Sequence, residues 1–211
     1  MPSHDVEDEK RQRILAGAAT ALSEHGYAEL SVAQIIAAAG ISRTTFYQHF
    51  ENKRECVLVA HEQAFDRLAA ELESSCAAES EWPEKVAAAL STVIAFAVQK
   101  PEQARLLLLE VLAADSVLAR QARASNEILV DLMRKGRELC PEADTLPQLT
   151  ERALVSGTTA VISRRLLHDE ADELAALAPE LIELNLIPYV GSAEAARAAK
   201  NARPVPDIAP E

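Results

Sequence analysis

Residues 31–49 constrain the fold of this 211-residue chain more than any other stretch. Ser31-Val-Ala-Gln34 has the form of a capping box, in which a serine accepts from a free backbone N–H at a helix start and a glutamine reaches back to the serine N–H. The helix it opens is short, because Gly40 interrupts it after three alanines. Ile41 and Ser42 restart the chain, with Ser42 as the next N-cap, and the following helix runs only from about Arg43 to His49. Two such helices cannot bury their apolar faces against each other alone. The partner is upstream, where Ile14, Leu15, Ala18 and Leu22 recur at helical spacing between Glu9 and His25, ending at Gly26. Three helices in this order, with a glycine-containing turn between the second and third, predict a helix-turn-helix.

The last of these helices has two distinct faces. At about 100° per residue, Phe46 and Phe50 form an inward anchor, while Thr44 and Gln48 point away from it. Tyr47 and Thr45 flank that outward face, and Arg43 projects from its N-terminal end. The face is rich in hydrogen-bond donors and has no acid, which suits phosphates and base edges. Net charge argues the other way at first, since −12 overall is poor for a DNA partner. Residues 10–54, however, hold six bases (Lys10, Arg11, Arg13, Arg43, Lys53, Arg54) against three acids (Glu24, Glu29, Glu51), so the acidity lies elsewhere.

Downstream, Asn52-Lys-Arg-Glu55 is a further capping-box-like start, with Asn52 as cap, opening a long helix with apolar Leu58, Phe65, Leu68 and Leu72. Pro83, Pro101, Pro141, Pro147 and Pro179 punctuate the remainder into Glu84–Gln99, Glu102–Ala114, Ser116–Leu139, Gln148–His168 and Glu180–Leu186, with a last piece at Ala193–Asn201. Period-two alternation is lacking and aromatics make up 4%, so the expected class is all-α. The expected organisation is a DNA-binding domain at 9–55, a helical effector-binding and dimerisation domain at 56–201, and a disordered tail at 202–211; residues 1–8 read as a frayed acidic tail. No stretch reaches about 18 consecutive apolar residues, so no membrane span is expected. The acidic N-terminus lacks the pattern of a signal peptide, and Cys56, Cys76 and Cys140 read as reduced thiols of a cytoplasmic protein.

The run RILAGAATALSEHGYAELSVAQIIAAAGISRTTFYQHFENKRE, residues 13–55, resembles the DNA-binding domain of the tetracycline-repressor (TetR) family. The resemblance rests on His25-Gly26-Tyr27, the Ser31-Val32 helix start, the Ala39-Gly40-Ile41-Ser42 turn and the TFYQHFENK block, with Leu22 a departure where the family usually has Phe. It implies that Arg43, Thr44 and Gln48 face the bases, that Thr45, Tyr47 and His49 contact the sugar-phosphate backbone, and that Lys53 binds phosphate at the start of the long helix. It also implies a homodimer on a palindromic double-stranded operator, acting as a repressor that a small, mostly apolar ligand releases. Residues 160–196 resemble the terminal dimerisation region of one subgroup of that family. Gly157, with Val161, Leu181 and Leu184, is the expected interface, since a mid-helix glycine usually has a close-packing reason. Phe96, Gln121, Ser125 and Asn126 are the candidate ligand contacts.

Competing chemistry finds little support. His61-Glu62-Gln63-Ala64-Phe65 begins like a zinc-protease HExxH but has Phe65 where the second histidine must stand. With no phosphate-cradling glycine loop, no GxSxG elbow and no His/Cys ligand spacing, neither a catalytic residue nor a metal or cofactor is expected. The alternatives are an all-helical hydrolase or lyase without a visible nucleophile, and a helical adaptor that binds protein. The outward Arg43/Thr44/Tyr47/Gln48 face speaks against both.

Overall fold

The computed structural model describes residues 3–108 and 116–206, and helices account for nearly all of them. In chain order they are α1 (Ser3–Glu29), α2 (Val32–Ala39), α3 (Arg43–His49), α4 (Lys53–Ala77), α5 (Trp82–Gln99), α6 (Pro101–Leu108), α7 (Ser116–Leu139), α8 (Thr150–Leu167) and α9 (Leu174–Asn201). Single 3-10 turns at Pro141–Thr145 and Ala171–Glu173 precede α8 and α9. No strand occurs among the described residues, as the sequence leads one to expect.

The chain forms two compact units, one comprising residues 1–66 with 102–120, the other 67–101 with 121–211. In the first, Ile14, Leu22, Ile35, Phe46 and Leu106 are fully buried and make the centre of a small core. In the second, Trp82, Val86, Leu90, Val130, Met133, Val155, Ile182, Leu186 and Tyr189 form one cluster joining α5, α7, α8 and α9. The Trp82 indole N–H donates to the Leu132 carbonyl at 2.8 Å, and its ring packs edge-on against Tyr189 at 5.1 Å. Gly136 makes room for that indole, since a Cβ there would lie 2.4 Å from the Trp82 ring.

Several polar groups inside the second core are matched. Arg137 donates to both Glu151 oxygens, at 2.5 and 3.1 Å, and to the carbonyls of Leu146 and Pro147. Tyr189 donates to Glu151 Oε1 at 3.1 Å. Burial pushes the Glu151 carboxyl upward, but the hydrogen bonds from Arg137 and Tyr189 more than offset this and hold it below its ordinary range. Asn185 ties α9 to α8 by donating to Thr158 Oγ1 at 2.9 Å.

Several boundaries differ from the sequence reading. α1 starts at Ser3, so the acidic Glu7, Asp8 and Glu9 lie in its first turns, where negative charge suits the positive end of the helix dipole. The expected pieces at Glu180–Leu186 and Ala193–Asn201 are parts of α9, which runs through Pro179 and Pro188 and breaks only at Gly191 (φ 74°, ψ 171°). Its buried stripe of Leu174, Ala178, Ile182, Leu186 and Tyr189 outweighs the two lost backbone hydrogen bonds. One helix within Ala171–Asn201 is long and apolar enough to cross a bilayer by length and composition alone, although it holds no unbroken apolar run of that length. Scattered glutamates and prolines hide this from a search for unbroken apolar runs, and in this fold the helix contributes its stripe to the second core. Residues 202–206 follow α9 without helix, and 109–115 lie outside the described residues.

Candidate DNA-binding surface

The first unit holds α3 in place by local caps and long-range latches. The Ser31 capping box is complete: Gln34 N–H donates to Ser31 Oγ at 3.3 Å and Ser31 N–H donates to Gln34 Oε1 at 2.7 Å. Gly40 ends α2 in the left-handed region (φ 61°, ψ 43°), and its N–H and that of Ile41 turn back to the Ala37 and Ile36 carbonyls. Ser42 caps α3, accepting from Thr45 N–H at 3.0 Å. Asn52 accepts from Glu55 N–H at 3.0 Å, whereas the Glu55 carboxylate reaches one residue further back, to Glu51 N–H at 2.6 Å. All three expected caps therefore act as such.

Two latches were not anticipated. Arg13 of α1 donates through Nη2 to the Ala39 and Gly40 carbonyls, at 3.0 and 2.9 Å, locking the end of α2 and the turn after it. Beside it Gly17 lets α2 approach α1 so closely that a Cβ would lie 2.6 Å from the Ala39 nitrogen. The only sequence signal for this pair was a base and a glycine four residues apart on the helix facing the turn. The second latch is Lys53, whose ammonium donates to the Leu30 carbonyl at 2.6 Å and the Tyr27 carbonyl at 3.3 Å, and lies 5.1 Å from the Tyr27 ring centroid. It thus ties the start of α4 to the last turn of α1 and to Leu30, between α1 and α2.

On this frame Phe46 and Phe50 are buried, with ring centroids 5.9 Å apart. Arg43, Thr44, Tyr47 and Gln48 are exposed together on the opposite side. Tyr47 stands edge-on against Phe46 at 5.4 Å, which steadies its ring, and the Arg43 guanidinium lies 5.7 Å from the Tyr47 centroid. Thr45 and His49 are less available: the Thr45 hydroxyl bonds Ser42 Oγ at 2.8 Å, and the His49 side chain is only 11% exposed, with Nε2 3.3 Å from Glu7 of α1.

In the second unit, Gly157 is exposed, and a Cβ added there would meet nothing within 4 Å. Val161 is half-buried, Leu184 is 52% exposed, and Leu181 is buried in its own chain's core. Leu167 and Ile187 add further exposed apolar surface to α8 and α9. Phe96 is buried with the Lys100 ammonium 5.0 Å from its ring centroid. The side chains of Gln121, Ser125 and Asn126 lie outside the described residues.

Residues 14–60 match the family model of bacterial regulatory proteins of the tetR family. A curated relative, the HTH-type transcriptional activator FasR of Mycolicibacterium smegmatis, is 23% identical over 124 residues, covering 59% of this chain and 57% of that protein. The fold is shared with the fatty acid degradation regulator FadR of Bacillus halodurans (TM-score 0.70, 20% identity, 85% of this chain and 98% of that one). It is shared as well with FadR of Bacillus subtilis, solved in complex with stearoyl-CoA (TM-score 0.66, 18% identity, 85% and 98%).

Proposed function

We propose that this chain, whose residues 14–60 match the tetR family model, is a transcriptional regulator of the tetracycline-repressor (TetR) family that reads a palindromic operator as a homodimer. The observation that carries the reading is the exposed Arg43/Thr44/Tyr47/Gln48 face on a helix held rigidly from behind. Arg43, Thr44 and Gln48 read base edges in the major groove, and Tyr47 contacts the backbone, with Thr45 and His49 in lesser parts because both are held inward. Lys53 has a third N–H left for phosphate while two serve the latch.

The dimer forms through α8 and α9. In its favour are the exposed leucines and isoleucine there and the open space at Gly157, which its own chain does not need. The interface centres on Gly157, Val161 and Leu184, while Leu181 supports it from behind. The chain acts as a repressor that a small, mostly apolar ligand releases. The activator name of the mycobacterial relative favours activation as a second reading.

Selection of bound sequences from a random DNA pool tests the core of this. The expected outcome is a palindrome with half-sites about 34–36 Å apart or a multiple of it. Arg43→Ala should relax choice at one position per half-site at a cost of about 1–3 kcal/mol. No enrichment over random DNA would refute the reading. A reporter driven by the selected operator, with and without the regulator, separates repression from activation.

A further inference from the structure

A cavity of about 600 Å³ lies in the second unit between the C-terminal half of α4 and α5, bordered by the end of α9 and the segment after it. That volume suits a small ligand. Its walls combine polar side chains with small apolar ones, among the latter Ala87, Ala88 and Ala95 of α5 and Ala198 of α9. Several polar groups along it are already engaged. The Ser75 and Thr92 hydroxyls donate to backbone carbonyls of their own helices, and Glu71 is paired with Lys100 at 2.7 Å.

Two polar atoms along it are both buried and without a partner. Ser91 is 5% exposed and its hydroxyl has no hydrogen-bond partner, and Glu84 Oε2 is buried without one. Both line the cavity. Seven residues apart on α5, they lie on one helical face about 10 Å from each other along the axis. A buried donor or acceptor left unpaired is penalised, so both groups favour an occupant that completes them. The carboxylates Glu79 and Glu84 face the space and its one base, Arg203, is exposed to solvent, which disfavours an anion.

We propose that this cavity binds a small molecule with an apolar body and a protonated amine, the ammonium donating to Glu84 and a second polar atom meeting Ser91. The alanine walls hold the body between them. The proposal rests on the reading of the chain as a ligand-responsive regulator only for its consequence, release of DNA; binding itself stands apart from it.

Isothermal titration of the full chain without DNA tests it with three probes of matched length: 8-amino-1-octanol, octylamine and octanoate. Both amines are expected to bind at least about tenfold more tightly than octanoate, the scale of one charge-assisted hydrogen bond. Glu84→Gln should remove about that factor for the amines and leave octanoate unchanged. Ser91→Ala should erase the advantage of the amino alcohol over octylamine, and it serves as the deciding variant if circular dichroism shows Glu84→Gln misfolded. Octanoate binding as tightly as the amines, no binding of either amine, or variants that keep the parent affinities would overturn the assignment. Because no DNA is present, such a failure leaves operator recognition to stand on its own selection experiment.

Discussion

Gly17→Ala is the sharpest probe of how the recognition helix is held. A methyl group at position 17 would sit 2.6 Å from the Ala39 nitrogen and 2.8 Å from both its Cα and its Cβ. All three atoms belong to the end of α2, and none is the movable tip of a long side chain. α2 cannot slide away freely, because the Arg13 guanidinium grips the Ala39 and Gly40 carbonyls and Gly40 fixes the turn. Overpacking of this kind costs about 1–3 kcal/mol. Replacing a mid-helix glycine by alanine returns up to about 1 kcal/mol in helix propensity. The net expectation is a loss of about 1–2 kcal/mol, which in a chain of this size lowers Tm by about 2–8 °C. Far-UV circular dichroism melts of parent and variant, run side by side, measure it. Shift assays on the selected operator should show weaker binding, because the displaced α2 carries α3 with it. A Tm equal to or above that of the parent would refute the close approach of α1 and α2.

Other perturbations address separate features. Tyr189→Phe removes one hydrogen bond to the buried Glu151 carboxylate and should cost about 1–2 kcal/mol in urea unfolding. Because Glu151 is held below its unfolded value, its contribution is present above the ordinary carboxylate range and lost as pH falls through the folded value, so Glu151→Gln should flatten the acid limb of the stability profile. His61 is fully buried with neither ring nitrogen hydrogen-bonded, and desolvation pushes it down to about 4. Its unfolded form binds the proton first, so on the order of 3 kcal/mol of stability drains away between about pH 6.5 and 4. His61→Leu should abolish that loss, and an unchanged acid profile would count against the burial. Leu184→Glu with Ile187→Glu should convert a dimer to monomer in multi-angle light scattering, and a parent chain already monomeric at micromolar concentration would defeat the proposed interface.

How legible each feature was in the sequence follows from the range of the interactions that make it. The Ser31, Ser42 and Asn52 caps and the Gly40 turn were readable because each is made by contacts between residues three to five apart. So was the two-faced α3, since helical periodicity alone puts Phe46 and Phe50 opposite Thr44 and Gln48. The boundaries near α9 are not legible this way, because proline in a sequence signals a stop and only packing reveals that a buried stripe can carry a helix through it.

The amino-acid sequence by itself determined that the chain is helical, where the short helices begin and end, and which side chains α3 turns outward. These follow from backbone hydrogen bonding, capping and a 3.6-residue period, all local. Tertiary structure alone decided the inward uses of polar residues: Arg13 and Lys53 grip carbonyls 23–27 residues away, and His49 leans on Glu7. It also decided that Leu181 is core while Leu184 is surface, and that Glu84 and Ser91 face one cavity. A charged or polar side chain takes whichever partner lies within about 3 Å, and chain folding, not sequence spacing, brings that partner there.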